Sequence, residues 1–158
     1  ARPWPHHGGA AMKKLKALTS YLLARNLVMP EQLDSWASQV NQDLIWKPDL
    51  KGMHFADMRY SAVVVFERFA DEPGRLMALL AGWLQTYDPH RDDLPNPAFA
   101  IDILDNDLAD VEITLEFVES LYLAEDPDGE IEAFDKTWSF IPFDLWVAEK
   151  GEVGTRGR

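Results

Sequence analysis

The chain has no cysteine, which excludes disulfides and thiolate-bound zinc or iron–sulfur centres, and with them the small secreted scaffolds. It has no apolar run approaching the roughly 20 residues needed to span a bilayer. Between Asp92 and Asp135 it has no lysine or arginine, yet those 44 residues carry 15 of its 27 acidic side chains. The rest of the chain holds 12 acids against 15 bases, so the net charge of −12 belongs to one stretch. That concentration predicts one strongly negative face. Such a face repels nucleic acid and anionic lipid and attracts basic partners; the alternative is a solvated sheet face that keeps the protein in solution.

What is present is enough for a core. The 158 residues are 47% hydrophobic and include six tryptophans, which fits one folded domain and excludes disorder for the bulk of the chain. Residues 1–11 (ARPWPHHGGAA) contain no acid and read as an artificial or disordered leader, 12–148 as a single domain, and 149–158 as a flexible Gly-rich tail.

Periodicity supplies the elements. Leu15, Leu18 and Leu22 share a helical face after Met12. Leu33, Trp36, Ala37 and Val40 also have helical spacing behind Pro30, which predicts a second short helix, followed by a loop from Pro48 to Gly52. The β-branched run Val63-Val64-Val65-Phe66 reads as the centre of a buried strand from Phe55 to Phe69. Asp71-Glu72-Pro73 opens the clearest helix, with Leu76, Leu79, Leu80, Trp83 and Tyr87 on one face and Asp88-Pro89 as its stop. Gly82 on that helix suggests close packing against a sheet.

Phe99, Ile101 and Ile103 alternate with smaller or acidic residues. Beyond a turn at Asp105-Asn106-Asp107, a long strand places Val111, Ile113, Leu115, Phe117, Leu121 and Leu123 on one face. Asp110, Glu112, Thr114 and Glu116 occupy the other. Pro127-Asp128-Gly129 turns the chain again. The last apolar stretch, Trp138 to Val147, contains Pro142 and so reads as an edge strand or an irregular docking arm.

Catalytic signatures are missing. The sequence has no G-x-S-x-G, H-E-x-x-H, Walker loop, or G-x-G-x-x-G following a strand. His54 and His90 stand alone in expected loops. Asp126 to Ile131 imitates the middle of an EF-hand, but Ala124 holds its first ligand position and Asp135 replaces its last Glu, so a hairpin turn is the better reading. Asp102, Asp105, Asp107 and Asp110 form a carboxylate cluster of a kind that binds hard cations or pairs an acid with a base. In a strand–turn–strand setting, Asp-Asn-Asp is also ordinary turn chemistry. No metal and no cofactor is expected.

Two stretches carry a family resemblance: VVVFERFADEPGRLMALLAGWLQTYDP, from Val63 to Pro89, and NPAFAIDILDNDLADVEITLEFVESLYL, from Asn96 to Leu123. Between Met12 and Leu123 the chain resembles the tail completion protein R family of contractile-tailed phages of the P-two type. The strand–FA-D-P–helix–LL–W-L order and the phrase Ile103-Leu104-Asp105-Asn106-Asp107 are its most specific parts. The resemblance implies a non-enzymatic virion protein that caps the tail tube and prepares it for head joining. It also implies an α+β fold, an antiparallel sheet with helices packed on one face, assembled as a homo-hexameric ring. Implied partners are the tail tube, the sheath or head–tail connector proteins, without nucleic-acid recognition or a membrane. The implied locations are the virion tail and, during assembly, the host cytoplasm.

The residues assigned to partner contact are Asp105, Asn106, Asp107, Asp110, Glu112 and Glu116 in the acidic window, with Trp138, Phe140, Phe143 and Trp146 in the aromatic arm. The arm's alternative is an added edge strand packed on its own sheet. The rival functional class is an acidic binding module, an immunity protein or antitoxin that masks a basic partner. A metal-dependent enzyme using the Asp cluster is the third.

Overall fold

The computed structural model describes residues 12–105 and 107–143. The 1–11 leader, Asn106, Trp146 and the 149–158 tail lie outside the described residues. The element order is α1 (Lys13–Leu23), β1 (Leu33–Asp49), β2 (Gly52–Phe69), α2 (Pro73–Tyr87), β3 (Ala98–Ile103), β4 (Ala109–Glu125), β5 (Ile131–Ala133) and β6 (Lys136–Ile141). The strands form one antiparallel sheet in the order β1-β2-β4-β6-β5, and β3 pairs with β4 off that path. Sheet predominates over helix, an architecture compatible with the α+β class.

Contacts cluster into two compact units. Among the described residues, one comprises 12–39 together with 61–117 and the other comprises Val40–Tyr60 together with 118–143.

In the first unit both helices form as their periodicity predicts. Leu15, Leu18 and Leu22 of α1 have no exposed surface, and α2 buries Leu76, Leu80, Trp83 and Leu84. Leu79, expected on that face, is only half-buried, and Leu84 takes its place. Gly82 faces open space, so it does not serve a close approach to the sheet. Entry to α2 is fixed by Pro73 at the first turn and by Asp71, whose carboxylate accepts from the Glu72 amide and is held below its usual pKa mainly by that bond.

The second helix expected from Leu33, Trp36, Ala37 and Val40 is instead β1. Pro30 opens only a 3-10 turn, Pro30–Gln32, in which the Gln32 side chain accepts from the Met29 amide and donates to the Glu67 carbonyl on β2 at 2.8 Å. The chain is thereby delivered to β2 as its neighbour. The Asp, Ser and Asn residues of this segment are mediocre helix formers, so sheet pairing outweighs the fortuitous spacing. Pro48 and Asp49 belong to β1, which reduces the expected Pro48–Gly52 loop to a tight turn.

The buried Val63–Phe66 run lies within β2, as expected. A left-handed residue at Arg68 (φ 54°) then bulges the strand. The bulge returns Phe69 to the face of Phe66, with the rings in an edge contact at 5.8 Å.

In the second unit, β4 pairs with β6 (Leu123 opposite Phe140, Glu125 opposite Trp138) and β6 pairs with β5. β6 lies between β4 and β5 in the strand order, but only Trp138 is paired on both sides, and Ser139, Phe140 and Ile141 pair with β4 alone, which leaves that half of the strand an edge. Gly129 is required at the β4–β5 turn, where a Cβ would sit 2.2 Å from the Trp138 carbonyl oxygen. Gly52 has φ 133°, and a Cβ there would lie 2.5 Å from the Leu123 carbonyl oxygen. Trp46, itself left-handed at φ 58°, packs on Phe55 and meets the Phe134 edge at 5.3 Å.

Candidate interaction surfaces

The carboxylates of the acidic window divide between structural work and open surface. Asp105 makes an Asx turn: its Oδ1 accepts from the Asp107 amide at 2.9 Å and the Leu108 amide at 3.0 Å. Asp110 accepts from the Arg68 amide at 3.0 Å and so satisfies the donor freed by the β2 bulge. These two are accounted for by local backbone chemistry. Asp102 stands directly opposite Asp110 across the β3–β4 pair, and Glu112 opposite Ala100. Asp107 and Glu112 are exposed, while Thr114 and Glu116 are half-buried on the same parity of β4. Among the described residues, no three or more histidine, aspartate or glutamate side chains converge as a metal site.

The aromatic arm also divides. Trp138 is buried and donates its indole N–H to the Ala133 carbonyl at 2.9 Å. Phe143 is half-buried, whereas Phe140 is 47% exposed. The EF-hand-like segment is a turn in which the Asp126 carboxylate accepts from the Asp128 amide and its carbonyl accepts from the Gly129 amide.

Three constellations escaped sequence reasoning. At the end of α2, Asp88 is buried and accepts from Lys14 at 2.7 Å and from Arg91 at 2.7 Å. An acid at a helix C-terminus opposes the dipole, and the two cations offset it. Arg91 also lies over the Phe117 ring at 5.6 Å and lines a cleft of about 840 Å³ with Leu84, Pro95 and Phe99.

In the second unit, Glu119 is 1% exposed on the core parity of β4 and accepts a 2.6 Å hydrogen bond from Tyr60. The third constellation surrounds Tyr122, which stacks on His54 at 4.9 Å and donates to Asp49 at 3.1 Å. His54 lies in β2, not in a loop, and its Nε2 is 2.7 Å from Asp57 Oδ1. Partial burial, then the Asp49 hydrogen bond and charge, push the Tyr122 phenol up to about 12.

These are the features of a sheet-based protein with acidic strand faces, half-buried aromatics and structural ion pairs. The chain belongs to the P2 phage tail completion protein R (GpR) family, whose model matches residues 12–142. It is 29% identical over 110 residues to a 19.2 kDa protein from the rep–hol intergenic region of Haemophilus phage HP1, described as uncharacterized. That match covers 66% of this chain and 66% of the relative's length. No solved structure matches.

Proposed function

We propose that the protein is a structural, non-enzymatic component that caps the phage tail tube and prepares it for head joining. The observation that carries this reading is the family match across residues 12–142. In this reading copies assemble as a homo-hexameric ring during morphogenesis in the host cytoplasm, both helices pack on one face of the sheet, and residues 12–148 act as one tail-completion domain. A ring needs heterologous surfaces for its neighbours and an end surface for tube, sheath or connector.

The acidic hairpin of β3 and β4 supports a docking role. Asp102, Asp107 and Glu112 project from a stretch without any basic side chain. Among the described aromatics of the arm, Phe140 is the best exposed for contact, and buried Trp138 contributes by holding the strand beneath it.

The test is deletion of the gene from an inducible prophage, followed by electron microscopy. The expected outcome is filled heads beside tails that fail to join or have irregular ends, restored by the gene in trans. Normal particles from the deletion would sink the proposal. Native mass spectrometry of the purified chain tests the ring separately. A tight one-to-one complex with a basic enzyme would favour the immunity-protein class instead.

A further inference from the structure

The β3–β4 hairpin leaves a sheet face unfinished. Cross-strand partners lie on one face, so Phe99, Ile101 and Ile103 share a face with Ile113, Val111 and Ala109. Val111 and Ile113 have no exposed surface, yet one strand further out Ile101 is 38% and Ile103 69% exposed. The apolar face therefore runs one strand beyond its cover. Leu104, at the strand's end, adds another exposed aliphatic side chain. Among the described residues β3 pairs only with β4, so its outer row of backbone donors and acceptors is unpaired.

The opposite face of the hairpin is acidic. Asp102 faces Asp110, whose carboxylate is already engaged by the Arg68 amide, and Glu112 lies diagonally across from Asp102. Like charges directly opposite destabilise a pair, and no lysine or arginine of the window relieves them.

We propose that the outer edge of β3 receives an extended segment of another tail protein, in which aliphatic side chains alternate with lysine or arginine. Strand pairing satisfies the open backbone groups. With period two, the aliphatic residues lie beside Ile101 and Ile103 while the basic residues lie beside Asp102 on the other face. This rests on the reading of the acidic hairpin as a docking surface and adds the mode and pattern of recognition. The proposed occupant is another protein rather than a second copy, because among the described residues no strand alternates aliphatic with basic side chains.

The test uses the full-length protein and a blocked hexapeptide, Lys-Val-Lys-Val-Lys-Val, with amide hydrogen exchange read by NMR at low salt. At saturation, outward-facing amides of β3 should exchange at least about tenfold more slowly, while those of α1 stay unchanged. A peptide N-methylated along its pairing edge and the Glu-for-Lys peptide should give no protection. Ile103→Lys, at an exposed edge position, should abolish protection with the α1 and β4 exchange pattern intact. Salt-sensitive binding without β3 protection would overturn strand addition and leave acidic docking standing. Equal protection by the Glu peptide would overturn the charge pattern, and absence of any binding would overturn both.

Discussion

At the scale of single residues, two polar groups carry more of the structure than their abundance suggests. Asp88, Lys14 and Arg91 have side chains only 7%, 15% and 12% exposed. Removing the acid of so buried an ion group leaves two adjacent cations without its compensating charge, so Asp88→Ala should cost about 3–5 kcal/mol in urea denaturation. A loss within about 0.5 kcal/mol, the range of ordinary surface sites, would show that the triad is not coupled to folding.

Tyr122 makes a prediction in pH. Its folded pKa lies near 12, above the unfolded value of 10.0, so the native state holds this proton more tightly. The contribution is complete below pH 10 and is lost as pH rises from 10 to 12. In a phenolate absorbance titration Tyr122 should supply the high-pH step, absent in Tyr122→Phe. Because burial is the larger cause and Asp49 the next, Asp49→Asn should lower that step only in part.

At the scale of elements, α2 offers the cleanest contrast. Leu80 is buried and Leu79 half-buried on the same helix, so Leu80→Ala should cost about 2–5 kcal/mol and Leu79→Ala distinctly less. Equal losses on chemical denaturation would mean that the two positions share one environment. Elements with unambiguous periods are legible in the sequence alone: α1, α2, the Val63–Phe66 run and the alternating β4. β1 is not, because Leu33, Trp36, Ala37 and Val40 match a helical stripe while pairing with β2 decides the outcome. β6 is legible in part, since its half beyond Trp138 pairs with β4 alone. Pro142 argues for an edge, and it follows the strand's last residue, Ile141, at that one-sided end. The acidic window is visible by composition, whereas its division into an Asx turn, a bulge cap and open carboxylates depends on backbone donors contributed by Arg68 and Leu108. Glu119 leaves no local signal, since its partner Tyr60 is distant in sequence, and for Asp88 only Arg91, three residues on, is local while Lys14 is distant.

At the scale of the whole molecule, charge placement sets how association responds to solution conditions. The chain carries −12 overall, and all of the excess comes from one window, so under the proposed docking a basic partner should be steered toward that window's open carboxylates. Glu112 is the position to test. It is exposed and stands opposite Ala100 on β3, so reversing its charge breaks no charge pair directly opposite on that strand. Glu112→Lys should leave unfolding midpoints within the range of surface substitutions, about 0.5 kcal/mol or less. Binding to tail components, followed by sedimentation, should nevertheless weaken, chiefly through slower association. Added salt should weaken the wild type more than the variant, because screening over a Debye length of about 10 Å at 0.1 M acts on the attraction that the variant has already lost. Binding equally strong at low and high salt, and unchanged by the reversal, would assign the contact to apolar surfaces such as Phe140 and leave the acidic face with the role of keeping the protein in solution.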